Sequence, residues 1–275
     1  MSEPKAFILH LERAAQRRQQ VDRLCESLPF ASEIVDAIDG EKLSDGEIQA
    51  VTARQLHRPR FSFTLNRLEI GAFLSHRAAW RKIVEEGLDY AVVFEDDVEV
   101  EVTDFARTCE LARKTRKLWA YALAPALKNR IGGAVLSEQD GIALIRPNIP
   151  PLRAIAQFVS ADAARRLLAA TEKFDRPIDT FLQMSWVTGV ELLALKPSGV
   201  REMSAVLGGS TIQRKGMRFG EKLRHELARP FYRAQVCAYH AFTKSRTLPP
   251  HALTVNAFGG AEPCEAAPET ILLNG

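Results

Sequence analysis

The chain begins with a nearly continuous apolar run, Ala6 to Leu11, broken only by His10, followed by an Ala/Gln/Arg-rich stretch from Ala14 to Leu28. The first pattern predicts a buried strand and the second the helix that follows it. "SEIVDAIDG" predicts a second short strand, closed by Asp39 and Gly40, and residues 41–63 read as loop or short helical pieces. "NRLEIGAFLSHRAAWRKIVEEG" repeats its apolar positions with helical spacing. Asn66 and Glu69 are spaced as a capping box, and Gly87 stands where a C-terminal cap belongs. "YAVVF" lacks polar alternation, which predicts a strand covered on both faces, as in a parallel α/β sheet.

Further along, Asp104 to Lys117 reads as helix and "LWAYALA" as strand. "GIALIRP" and "LRAIAQFVS" read as a pair of strands around the turn at Pro147, Pro150 and Pro151. Ser160 is placed to cap the helix "ADAARRLLAATEKF", and Ile178 to Trp186 forms a short helix before the strand "VELLALKP". Phe219 to Phe242 predicts an amphipathic helix, and from Thr243 the Pro, Ala, Gly and Glu content predicts a poorly ordered tail. The alternation of strands and helices puts the chain in the α/β class. The division it suggests is an α/β unit over 1–213, a basic helical extension over 214–242 and a tail over 243–275.

At 275 residues, with 46% hydrophobic and 26% charged positions, the chain can bury a full core. A formal net charge of +3 gives no reason to expect a general polyanion binder, and no nucleic-acid module is recognisable. Cys25, Cys109, Cys237 and Cys264 are scattered without zinc-site spacing and read as reduced thiols. The short apolar start fits neither a signal peptide nor a membrane span, so a cytoplasmic location is the expectation.

Chemistry enters at Glu95, Asp96 and Asp97, three carboxylates directly after "YAVVF". Ligands of open α/β sheets bind outside the carboxyl ends of the strands. Alternation along an extended segment places Glu95 and Asp97 on one face and Asp96 on the other. Adjacent carboxylates repel unless a cation joins them, and Mg²⁺ or Mn²⁺ takes oxygen ligands while bridging to phosphate. That makes a metal–diphosphate site the functional reading and a solvated loop start the alternative.

"FILHLERAAQRR", "AIDG", "FTLNRLEIGAFLSHRAAW", "AVVFEDDV" and "RPID", in this order from about Phe7 to about Ile212, resemble the family 25 glycosyltransferases of the lipopolysaccharide and lipooligosaccharide galactosyltransferase type. The resemblance implies a GT-A-like (Rossmann-like) fold with a mixed, mostly parallel sheet flanked by helices. It also implies a UDP-sugar donor, commonly UDP-galactose, a divalent metal, inversion at the anomeric carbon, and a glycan or glycolipid acceptor. Asp97 and Glu95 become the expected metal ligands, with Asp96 supporting the loop or the donor. His10, Leu11, Arg13, Arg17, Ser75, His76, Ser210 and Thr211 become candidates for the donor pocket. The chain has His10 and Glu12 where the family motif usually has Asn and Asp, and "AIAQFVS" replaces a Gly-Tyr-rich stretch.

Inverting transfer needs a general base for the acceptor hydroxyl, and Asp179 of "RPID" and Glu69 are the candidates. Each has a structural alternative, Asp179 as a helix cap and Glu69 as half of the capping box. His76 has the alternative of a satisfied buried histidine, and Arg13 and Arg17 that of solvated helix charge. Basic residues from Arg214 to Arg233 suit either docking on the inner face of the cytoplasmic membrane or a helix packed on the body. Two other functions stay open: a sugar-nucleotide-forming nucleotidyltransferase, and an inactive family member that binds a glycan or partner.

Overall fold

A computed structural model describes residues 4–126, 131–206 and 230–242. Its centre is an eight-stranded sheet whose spatial order is β2-β1-β3-β8-β5-β9-β7-β6. The strands are β1 (Lys5–His10), β2 (Ser32–Asp36), β3 (Tyr90–Glu95), β5 (Tyr121–Leu123), β6 (Gly133–Gln139), β7 (Ile142–Pro147), β8 (Ala156–Ser160) and β9 (Leu192–Lys196). β1 pairs in parallel with both β2 and β3, and β5 with β9, whereas β8 and β7 run antiparallel to their neighbours. The sheet is thus mixed and mostly parallel in direction. β4 (Val98–Val100) and β10 (Val200–Glu202) form a separate antiparallel pair.

Strand alternation sends successive side chains into two separate cores. Ala6, Ile8, Tyr90, Val92 and Phe94 join one cluster with Val21 and Leu24 of α1 (Arg18–Ser27) and Phe105 and Leu111 of α4 (Val102–Lys114). Phe7, Leu9, Ala91 and Val93 join the other, with Ile70, Phe73 and Trp80 of α3 (Arg67–Glu85) and Leu167 of α5 (Ala161–Ala170). Helices cover both faces, which is why "YAVVF" carries no polar position.

Local signals act as the sequence predicts at α3. Asn66 and Glu69 make both bonds of the capping box, and Gly87 takes φ +64 just past the helix end. Ser160 caps α5 by accepting from the Ala163 amide. α2 (Asp45–Val51) is one of the short helical pieces expected after residue 41, and α6 (Ile178–Leu182) and α7 (Ser185–Thr188) share the helix expected over Ile178 to Trp186.

The structure departs from the sequence reading in three places. β7 and β8 do not pair: β8 lies between β3 and β5, while β7 lies between β9 and β6. Both runs are apolar enough for a central strand, and periodicity holds no information about the partner. β4, β6 and β10 were not expected; two are three residues long, and β6 is a largely exposed edge strand. α4 starts at Val102 because Glu101 caps it, accepting from the Thr103 and Asp104 amides.

Of the C-terminal helix predicted over Phe219 to Phe242, residues 230–242 are described and helical; the remainder lies outside the described residues. Tyr232, Val236 and His240, four apart, are buried against the body. Trp186 stacks on Tyr239 at 5.0 Å and meets His240 edge-on. Phe231 is exposed, while the burial of Tyr232, Val236 and His240 makes the packed alternative the description of this portion.

Candidate functional site

β1, β2 and β3 are parallel, so their carboxyl ends open on the same edge of the sheet, and a cleft lies there. Leu9, Leu11, Arg13, Arg17, Ala37, Ile38, Gly40, Leu68, Ala72, Ser75, His76, Glu95, Asp96 and Asp97 line it. Its volume is about 90 Å³, small beside typical ligand pockets, and its mouth is open to solvent.

Two glycines explain how the wall closes. A Cβ on Gly40 would stand 1.7 Å from the Arg67 carbonyl oxygen, and one on Gly71 would stand 2.5 Å from that of Ile38. The loop after β2 therefore lies backbone-to-backbone on α3, which is the contact that "AIDG" and "EIGAF" make together. Ser75 completes it, donating to the Gly71 carbonyl at 2.7 Å and accepting from the Ile38 amide at 2.8 Å. Ser75 is among the cleft residues, but both bonds of its hydroxyl are structural. Arg13 is held at 2.9 Å by Asp39, at the rim.

The acidic triplet does not continue as extended chain. β3 ends at Glu95, and Asp96 and Asp97 form a turn before β4. Alternation holds for the first two: Glu95 lies on the α3 side and Asp96 on the α1 side. At Asp97 it fails, because the turn brings that carboxylate within 3.3 Å of Arg17 as well. Arg17 Nη1 is 2.5 Å from Asp96 Oδ1, and His10 Nδ1 donates to Asp96 Oδ2 at 3.1 Å. Asp96 is thus a buried anchor whose partners are protein groups. The turn is pinned by the Glu95 amide on the Ile155 carbonyl, the Gln20 side-chain amide on the Val98 carbonyl, and the Met203 amide on the Asp97 carbonyl.

Asp97 differs from its neighbour. It is 7% exposed, and its Oδ1 is buried with no hydrogen-bond partner among the described residues. Burial, reinforced by the charge of Glu95, pushes its carboxyl up to about 7 against the opposing pull of Arg17. Glu95 is more open, with its side chain 27% exposed, and faces His76 Nε2 at 3.4 Å.

The two base candidates sit in different surroundings. The Glu69 carboxylate accepts from the Asn66 amide at 2.8 Å in the capping box, and Glu69 is not among the cleft-lining residues. Asp179, half-buried, accepts from the Thr180 amide at 2.6 Å and from the Arg153 amide at 3.3 Å. Ser210 and Thr211 lie outside the described residues.

Two fully buried polar residues outside the cleft lining went unmarked in the sequence. Arg176 of "RPID" is fully buried, paired with Asp175 at 2.7 Å, and donates to the Tyr232 hydroxyl at 2.8 Å, which ties the segment before α6 to the C-terminal helix. Gln157 is fully buried beside His76, and its only sequence signal was a polar residue inside an apolar run.

Among the described residues no group of three or more His, Cys, Asp or Glu is placed to hold a metal ion unaided. An unsatisfied Asp97 oxygen next to Glu95 still fits a cation whose remaining ligands come from phosphate and water. Nor is any helix among those residues long and apolar enough to cross a membrane.

Residues 3–132 match the model of "Glycosyltransferase family 25 (LPS biosynthesis protein)". The chain is 34% identical over 98 residues to procollagen galactosyltransferase 2 of Homo sapiens, covering 34% of this chain and 16% of the relative. It is 33% identical over 109 residues to inactive glycosyltransferase 25 family member 3 of Mus musculus, covering 38% and 18%. The chain thus spans less than a fifth of the length of these relatives. Among solved structures, that of 4-diphosphocytidyl-2C-methyl-D-erythritol synthase overlaps 82% of this chain and 99% of its own at 14% identity, with a TM-score of 0.38, too weak a likeness to build on. Every residue that lines the cleft lies within residues 3–132, the segment that is similar to the glycosyltransferase family 25 model.

Proposed function

We propose that this chain is an inverting, metal-dependent glycosyltransferase that moves a sugar, galactose from UDP-galactose, onto a hydroxyl of a lipopolysaccharide, lipooligosaccharide or related glycan. The family match supports transfer, and the galactosyltransferase names among the relatives support the sugar. The observation that carries the reading is Asp97 Oδ1, buried and without a hydrogen-bond partner among the described residues, beside Glu95 in the cleft. A buried carboxylate oxygen without a partner is costly, and a cation is the natural group to satisfy it.

In this reading Asp97 and Glu95 hold Mn²⁺ or Mg²⁺, which when bound supplies Lewis acidity to the leaving diphosphate. Arg17 bridges the two buried aspartates and holds their carboxylates in place. Asp96 and His10 hold the turn, while Leu11, Arg13 and the wall around Ser75 and His76 enclose the nucleotide. Asp179 is the favoured base, because Glu69 is committed to its helix cap. Arg153 links Asp179 to the segment whose Ile155 carbonyl accepts from the Glu95 amide, so the base candidate and the acidic turn share one support.

A second reading, binding without turnover, is favoured by one observation: Asp96 is consumed by His10 and Arg17, leaving Glu95 and Asp97 as the open carboxylates among the described cleft residues. Relatives named inactive match the chain at similar identity. Calorimetric titration with UDP-galactose in Mn²⁺ and then EDTA, together with a UDP-release assay, separates the two. Metal-dependent binding lost in Asp97→Ala, with UDP release on adding acceptor or water, supports the transferase. Binding without release supports the second reading, and unchanged binding in Asp97→Ala sinks both uses of the acidic turn.

A further inference from the structure

A line of buried polar groups crosses the sheet and ends on the cleft. Tyr121 on β5 and Gln157 on the adjacent β8 are fully buried, and His76 on α3 is 1% exposed. Polar groups in such a layer are costly unless every one is paired, and Met or Leu would fill the same volume at Gln157 without that cost.

The partners fix the direction of each bond. The Ala154 carbonyl can only accept, so the side-chain amide of Gln157 must turn its NH₂ toward it, and the Tyr121 hydroxyl donates to the Gln157 Oε1 left on the other side. The second N–H of that amide points at His76 Nδ1, 3.1 Å away. Nδ1 is therefore an acceptor, the ring proton sits on Nε2, and Nε2–H faces Glu95 Oε1 at 3.4 Å. Which ring nitrogen of a histidine donates is set by the bond the other one makes.

We propose that Gln157 is a positioning residue of the cleft: anchored by Tyr121 and Ala154, it holds His76 in the Nε2–H tautomer, whose donation to Glu95 sets where that carboxylate points. The inference deepens the reading of the cleft as a donor-nucleotide site. His76 is thereby neither a satisfied bystander nor a direct donor contact; it is the link through which the core orients a cleft carboxylate.

The experiment is long-range ¹H–¹⁵N NMR of the histidine rings in the full chain, with His76 assigned from His76→Asn, compared between wild type and Gln157→Met. It is coupled to calorimetric titration with UDP in Mn²⁺. The expected result is a single Nε2–H tautomer in wild type, a mixture in Gln157→Met, and about a tenfold loss of UDP–Mn²⁺ affinity, the worth of one hydrogen bond. His76→Gln, whose amide still donates toward Glu95, should stay within about threefold of wild type, while His76→Phe should lose about tenfold. Should Gln157→Met fail to fold, the His76 pair decides by itself. An Nδ1–H tautomer in wild type, an unchanged tautomer in Gln157→Met, or equal losses in His76→Gln and His76→Phe would overturn the proposal. A wild type that takes no UDP–Mn²⁺ counts against the donor-site reading instead, and the tautomer comparison then decides the relay.

Discussion

Arg17 Nη1 and Asp96 Oδ1 meet at 2.5 Å in a site where Arg17 is 2% and Asp96 7% exposed. The same nitrogen is 3.3 Å from Asp97, so one guanidinium is shared by two buried carboxylates on the turn that borders the cleft. A buried charge deprived of its partner is expensive, about 3–5 kcal/mol. Arg17→Met is therefore expected to lower stability by about that amount, read as a fall in the urea midpoint with little change in the slope. A loss below about 1 kcal/mol would mean that the pair is solvated in solution.

Asp97 makes stability depend on pH in an unusual direction. Its carboxyl is pushed up to about 7 in the folded chain from an ordinary 3.8, so the folded state binds the proton more tightly than the unfolded state does. Its contribution is then fully present below about pH 4 and is lost as pH rises toward 7. Asp97→Asn mimics the protonated form at all pH values. In EDTA, its stability advantage over wild type should grow from near zero at pH 4 to a few kcal/mol, to order of magnitude, at pH 7.5. An advantage that shrinks over that range would show that Asp97 is paired after all.

Glu69 offers a clean separation of cap from base. Gln at the same position sustains a capping box, so Glu69→Gln should keep both stability and UDP release within about twofold, while Glu69→Ala should cost about 1 kcal/mol of stability. Loss of UDP release in a fully stable Glu69→Gln would make Glu69 the base and remove that role from Asp179.

Tyr232 is the acceptor for Arg176 Nη1, and Arg176 is buried with Asp175 beneath the C-terminal helix. Tyr232→Phe leaves that donor without its acceptor, which should cost about 1–3 kcal/mol. Amide exchange should speed up across residues 230–242 and stay unchanged in β1 and β3. Uniform acceleration through the chain would mean that the helix and the sheet open as one unit.

Elements whose stability comes from local pattern were legible in the sequence. β1, α1, β2, α3 and β3 follow from apolar spacing and caps, because a strand buried on both faces and a helix with an apolar stripe each write their period into the chain. The acidic turn announced itself as charge at a strand end, and its separation of Glu95 from Asp96 follows from the pleat. What the sequence could not hold was pairing at a distance. The places of β7 and β8 in the sheet, the bend that turns Asp97 toward Arg17, and the capture of Asp96 by His10 all depend on contacts between residues far apart in the chain. Gly40 and Gly71 read as ordinary motif glycines until the loop after β2 is laid on α3, where only a residue without a Cβ fits. The sequence alone determined which groups stand at the mouth of the sheet. Only the tertiary structure decided which of them are spent on each other and which remain open to a ligand, because a buried carboxylate's role is set by the partners that packing brings within about 3 Å.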